Sequence, residues 1–391
     1  MKLADAVERY ERWLGGFMPL RAADLDHKHT RMEEGPFTFL RATFFRWAAT
    51  WASLAPDEQH APLVLGVGDL HLENFGTWRD VEGRLIWGIN DFDEAAWLPY
   101  TQDLIRLATS AYLAIEGAHL TLRRRQAARA ITEGYADGLA TGGRPFVLEE
   151  DHAWLRDIAT SRLRDPVAFW QKMAALPSVR APEPVRQLLA QCLPEPGLPF
   201  RVAHRIAGLG SLGRPRFVAL ATVDGGNLAR EAKALAPSAW QLGAGRRARA
   251  IQCATMLTSA VRAADPSLSV HLLGSDAWIV RRLAPHCTRI EVTELTRARD
   301  EDRLLYAMGF ETANVHLGTP EARALIRRDL RRRRPDWLHG AAKPFVDAVL
   351  RDWQSWRKHQ QKQRLAERPV RRVAPRKRVN PRHVPRQQAR P

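Results

Sequence analysis

The prolines gathered between Pro177 and Pro199, with Pro182, Pro184, Pro194 and Pro196 among them, constrain this chain's fold more than any other feature. Each fixes φ and removes a backbone donor, so no long regular element is expected through them, and the stretch reads as a linker between two lobes. A length of 391 residues is also more than one ordinary core fills and favours roughly two domains. The hydrophobic period differs on the two sides. Residues 1–60 have helical spacing, with Phe37, Leu40, Phe44, Phe45 and Trp47 on a repeating face and Pro36 suited to a helix start. Short apolar strands are expected at 63–67 and 84–89, and helical spacing returns over 102–142. Beyond the linker, strands are expected at 201–207, 216–222, 228–232, 270–273 and 277–283, interrupted by a helix over about 243–264. From 300 to about 356 the pattern is helical again, broken near 318–320 and 334–337.

Composition narrows the classes. At 45% hydrophobic and 26% charged residues the chain has ordinary globular content. No stretch approaches the ~18 apolar residues that span a bilayer, and the N-terminus reads as a charged helix, not an export signal. Cys192, Cys253 and Cys287 are odd in number and lack CxxC spacing, which argues against a disulfide framework or structural zinc and fits a reducing cytoplasm. The net charge of +17 is mostly local: residues 357–391 hold 13 Lys/Arg and one acid, Glu367. That tail has no large apolar side chains beyond Leu365 and its valines, so it is expected to be disordered, touching nucleic acid or another acidic surface nonspecifically or serving as a solvated extension.

The chemistry-bearing block is Gly68-Asp69-Leu70-His71-Leu72-Glu73-Asn74-Phe75-Gly76, followed by Asn90-Asp91-Phe92-Asp93-Glu94. Acids at the ends of two strands joined by a short hairpin converge on one point. Asp69 can then meet a substrate hydroxyl while Asn74 and Asp91 offer hard oxygens to Mg²⁺ and its phosphates. The bland alternative is that these acids only cap turns.

This arrangement resembles the catalytic loop and metal aspartate of protein-kinase-like phosphotransferases, and more closely those of aminoglycoside and choline kinases. Asp103 in Pro99-Tyr100-Thr101-Gln102-Asp103 matches the aspartate such enzymes place at the start of the next helix. Asp93 departs from the protein-kinase pattern, which has glycine there; it is counted with Asn74 and Asp91 as a metal ligand. His71 is placed beside Asp69 in the catalytic set, orienting the aspartate by a hydrogen bond. A glycine-rich turn lies downstream, not upstream: Gly208-Leu209-Gly210-Ser211-Leu212-Gly213, between two strand-like segments, followed by Lys233 at a strand end. Gly208, Gly210, Ser211 and Gly213 would admit phosphates to backbone amides, with Lys233 holding them. The plain alternative is a hairpin turn and a solvated lysine.

The order of these parts implies an α+β, two-lobed, protein-kinase-like fold in circularly permuted form. Residues 1–190 would form a helical lobe with the catalytic loop, 197–300 a β-rich nucleotide lobe, 301–356 helices returning to the first lobe, and 357–391 the basic tail. Over most of its length the chain also resembles an uncharacterised bacterial family of unknown function placed among kinase-like folds, through these blocks and the segment from Met32 to Arg41. That resemblance puts Arg41 at the site as a phosphate clamp. It implies use of ATP and Mg²⁺ and supplies no acceptor. One feature departs from active kinases: no acid occurs between Glu231 and Asp265 to orient Lys233 from a helix, and Glu231, on the same strand face, is the available substitute. Three readings follow in order. The first is an ATP-dependent phosphotransferase, with nucleotidyl transfer as a variant; the second is a nucleotide-binding, pseudokinase-like regulator. The third is a two-metal phosphoesterase, suggested by Asp69-Leu70-His71 but lacking that class's later motifs.

Overall fold

The computed structural model describes residues 1–149, 152–160, 165–243, 251–287 and 298–366. The fold is mixed α+β. Four helices open it: α1 (Leu3–Gly15), α2 (Ala22–Arg31), α3 (Pro36–Ala42) and α4 (Phe44–Leu54). Pro36 sits in the first turn of α3, where its missing N–H costs nothing. Strand β1 (Leu63–Gly66) pairs antiparallel with β4 (Ala96–Pro99), and β2 (Phe75–Arg79) pairs with β3 (Leu85–Ile89), which also takes β5 (Phe146–Val147). Only β1 and β3 were marked by apolar runs. Strand β2 follows the acidic block, and the glycine and polar residues around it hide its alternation.

Helices α5 (Tyr100–Glu116) and α6 (Arg124–Thr141) fill the helical stretch as expected, followed by α7 (Ala153–Thr160), α8 (Pro166–Ala174) and α9 (Glu183–Gln191). The proline-rich segment is therefore not a bare linker. Pro184 occupies the first turn of α9, where proline is tolerated, and Val185, Leu188 and Leu189 are buried.

A third sheet is five-stranded and antiparallel. Its strands are β6 (Arg201–Ala203), β7 (Arg216–Val223), β8 (Gly226–Leu235), β9 (Ser269–Leu273) and β10 (Asp276–Arg282), in the order β6-β7-β8-β10-β9. Two short helices, α10 (Ala239–Gly243) and α11 (Cys253–Ser259), lie between β8 and β9. The helix expected over 243–264 falls partly on residues 244–250, outside those described. Helix α8 covers one end of this sheet, where Phe169 and Met173 pack on Val218, Ala229 and Leu283.

The chain then returns to the first helices through α12 (Ala298–His316), α13 (Ala322–Arg332) and α14 (Trp337–Ala366). Helix α12 lies along α6, and α14 along α5. Helices α6 and α12 touch at their backbones: a Cβ at Gly134 would lie 1.9 Å from the Tyr306 carbonyl oxygen, and one at Gly309 2.1 Å from that of Ile131. Phe345 of α14 stacks on Trp47 of α4 at 4.1 Å between ring centroids. Helix α14 runs to Ala366, so residues 357–366, expected to be disordered, are helical; the rest of that tail lies outside the described residues. Among the described residues no helix is long and apolar enough to cross a membrane.

Candidate active site

The turn after β1 is shaped by one glycine and one buried aspartate. Gly68 has φ +82°, and a Cβ there would lie 2.3 Å from the Glu94 carbonyl oxygen, so neither the angle nor the space admits a side chain. Asp103, wholly buried in the first turn of α5, accepts the Val67 and Gly68 N–H groups at 2.7 and 2.9 Å. Behind it, His316 of α12 places Nε2 3.0 Å from Asp103 Oδ2 and Nδ1 2.8 Å from the Tyr135 hydroxyl. The Asp69 turn is thus set by residues from three helices.

Asp69 projects to the wall of a cavity of about 720 Å³. Arg106, one helical turn beyond Asp103, holds it: Nε donates to Asp69 Oδ1 at 3.0 Å, and Nη2 donates to the same oxygen and, at 2.9 Å, to the Leu40 carbonyl. The guanidinium lies over the rings of Phe44 and Trp47. Burial pushes the Asp69 carboxyl up to about 7, against the opposing pull of Arg106.

His71 and Asn74 cap the 3-10 turn Leu72–Asn74 reciprocally. The Glu73 N–H donates to His71 Nδ1 at 3.2 Å, and the His71 N–H donates to Asn74 Oδ1 at 2.7 Å. The Asn90 N–H donates to the Asn74 carbonyl at 3.0 Å. This brings Asn74 and Asp91 to the same open end of the β2–β3 hairpin.

Asp91 and Asp93 meet Lys233 there. Lys233 Nζ is 2.5 Å from Asp93 Oδ2 and 3.9 Å from Asp91 Oδ1. Burial works to raise Asp93, but Lys233 and Arg214 overcome it and hold its carboxyl below the usual range; Asp91 is raised by its enclosure and by the charge of Asp93. Asp93 Oδ1 is buried with no donor. Among the described residues no three of His, Cys, Asp and Glu gather into a metal-holding group. A pair of carboxylates with an undonated oxygen still suits Mg²⁺, which commonly takes one or two carboxylates and completes its shell with water and phosphate oxygens. Asn74 Oδ1 already accepts one N–H and has a second lone pair to offer.

Gly208, Gly210 and Ser211 line the same cavity, as do Arg41, His71 and Asn74. Lys28 of α2 donates to the Gly210 carbonyl at 3.2 Å, and Arg216 Nη2 to Ser211 Oγ at 2.9 Å. A Cβ on Gly210 would stand 3.3 Å from Asp69 Oδ2, so glycine turn and aspartate are in near contact. Gly213 lies off the cavity wall; its φ of +93° and a would-be Cβ 2.4 Å from Leu25 make it a packing position against α2. Arg41 pairs with Glu73 at 2.7 Å and lies over Phe37.

Glu231 does not serve Lys233. Its buried carboxylate is taken by Arg205 and Arg216, each at 2.7 Å, and by Arg281 at 2.8 Å. The strand register explains the exchange: Arg281 lies directly opposite Glu231, and Arg216 directly opposite Lys233. The three arginines overcome burial and hold Glu231 well below the ordinary glutamate range.

Arg106, Arg205, Arg214, Arg216, Glu94 and Arg281 escaped the sequence reading. Arg106 had a signal, since it shares a helix face with Asp103 at i and i+3. Arg205 and Arg216 flank the glycine run at similar distances. Glu94 sits inside the second acidic block, where Arg214 Nη2 reaches it at 2.8 Å and the Ala239 N–H at 2.7 Å.

No curated protein and no solved structure matches the chain. Residues 21–164 match the model of a family described as an uncharacterized protein conserved in bacteria (DUF2252), a stretch that holds Arg41, Asp69, His71, Asn74, Asp91 and Asp93 and ends before the glycine turn and Lys233.

Proposed function

We propose that this chain is an ATP- and Mg²⁺-dependent phosphotransferase of kinase-like build, with the helical catalytic lobe preceding the nucleotide-binding sheet. The observation that supports it most is the meeting of Lys233 with Asp93, 140 positions apart in sequence, beside a cavity lined by Asp69, Asp91, Asp93 and the glycine turn. Five-stranded sheet and carboxylate hairpin then face each other as a kinase requires, through a chain order that is circularly permuted. Such permutation alters connection and leaves packing intact.

In this reading Asp69 accepts the acceptor's proton, and its raised pKa suits a base working near neutrality. Arg106 and the Leu40 carbonyl fix its orientation. Asp91 and Asp93, with Asn74, would hold Mg²⁺, which supplies charge neutralisation of the phosphates. Lys233, with Arg214, keeps the buried Asp93 ionised and lies beside Asp91. The glycine turn admits phosphates to its backbone, held open by Lys28 and Arg216. Rate acceleration comes from positioning and from fixed charges.

The test is incubation with γ-labelled ATP, Mg²⁺ and a cell extract beside the Asp69→Ala and Asp91→Ala proteins. Label transfer lost in both variants is the expected result, and transfer that survives either substitution rejects it. A nucleotide-binding regulator is the second reading. It is favoured by Lys233 being bound to Asp93 with no acid available from the helices between β8 and β9, and its signature is stabilisation by ATP without transfer or hydrolysis.

A further inference from the structure

The cavity face of the five-stranded sheet holds a cluster that kinase-like chemistry does not require. Glu231 is fully buried and makes ion pairs with Arg205, Arg216 and Arg281 at once. Three guanidinium groups share one carboxylate, so Glu231 neutralises one of their three charges, and Asp91 and Asp93 offset only part of the rest, at Arg281. An uncompensated buried charge is costly, and an anion is the partner that removes the cost.

The geometry gives that excess a direction. Arg205 and Arg281 line the cavity and keep 17% and 30% of their side-chain surfaces exposed, whereas Arg216 is turned inward to Ser211 Oγ. Arg281 uses Nε and Nη2 on Glu231, and Arg205 uses Nη1, which leaves further N–H groups on each fork for a ligand. Arg205 is the residue from which the glycine run departs, and Arg281 acts on Asp91 electrostatically. Apolar surface from Phe169, Met173 and Leu283 lies on the same face beyond them.

We infer that Arg205 and Arg281, splayed by Glu231, form a polyphosphate clamp and take the place of the missing lysine–helix glutamate pair. Lys233 is thereby assigned to the carboxylates of Asp91 and Asp93, and the arginines to the anion. This rests on the nucleotide reading for the ligand's identity and on the cluster alone for its charge. The ligand class is a linear polyphosphate, free or as the tail of a nucleotide; Glu231 is a positioning residue.

The experiment is titration calorimetry of the full chain with inorganic tripolyphosphate, a non-hydrolysable ATP analogue and adenosine, each with and without Mg²⁺. Arg281→Met and Arg205→Met are compared with Arg281→Lys. The expected result is tripolyphosphate binding that weakens about tenfold or more in each methionine variant and is partly restored by lysine. Adenosine binding unchanged in Arg281→Met separates a lost clamp from a damaged fold. Tripolyphosphate binding of equal strength in wild type and both methionine variants overturns the clamp, as does none in the wild type. Arg281-dependent tripolyphosphate binding in a protein that neither binds the ATP analogue more tightly than adenosine nor transfers label upholds the clamp and removes the phosphotransferase reading.

Discussion

The two walls of the cavity are built in opposite ways. The acidic wall comes from one contiguous stretch of chain, where Asp69, Asn74, Asp91 and Asp93 sit on one hairpin and its approach. The cationic wall presents Arg205 and Arg281, backed by Arg216, Glu231 and Lys233; these residues of the loop after β6 and of β7, β8 and β10 become neighbours only through strand register. The hairpin brings Asn74 and Asp91 together locally, while Asp69 at its approach leans on α5, α6 and α12. A sheet-built cluster depends on every strand being in place, so it is the wall at which misregister destroys the site.

The sharpest way to break this comparison is Glu231→Gln. It leaves three arginines facing a neutral amide in a buried site, and the expected loss is about 3–5 kcal/mol of stability in denaturant melts. A loss near zero would mean that the arginines are already solvated. Next, Asp91→Ala on the local wall is expected to fold with little change, being partly exposed, yet to lower label transfer about a hundredfold to a thousandfold at saturating ATP. One wall then fails by unfolding and the other by chemistry.

The third test is pH. With its pKa raised to about 7, Asp69 holds a proton below that value and cannot accept another, so transfer falls about tenfold per unit on the acid side and levels above it. Turnover measured from pH 5 to 9 checks the midpoint; a profile flat through neutrality removes Asp69 as the base. The smallest effect is expected at Lys28→Met, which frees the Gly210 carbonyl. Loss of one hydrogen bond, about 0.5–1.5 kcal/mol, should raise the KM for ATP about twofold to tenfold with kcat retained.

Legibility in the sequence followed the same division. The strands β7, β8 and β10, the opening helices and the breaks before α13 and α14 were readable because apolar periodicity and proline mark them locally. The acidic block was readable because its residues lie close in sequence. Strands β2 and β4 were hidden, the one by the acidic block before it and the other by its shortness, and α9 by prolines that also suit a helix start. The arginine cluster had no linear signature in a chain rich in arginine, since the positions that oppose Glu231 follow from pairing, not from spacing. Lys233 was found through the resemblance, but its partner was not. The expected Glu231 was drawn away by arginines that only the sheet reveals.

The bond between His316 and Asp103 spans 213 positions. During synthesis at about 5–20 residues per second, tens of seconds pass between the appearance of the Asp69 turn and that of the imidazole that completes its support. The nascent chain therefore passes through a long interval in which Asp69 and the Arg106 that holds it are made while Asp103, which shapes the turn behind them, still lacks its imidazole partner.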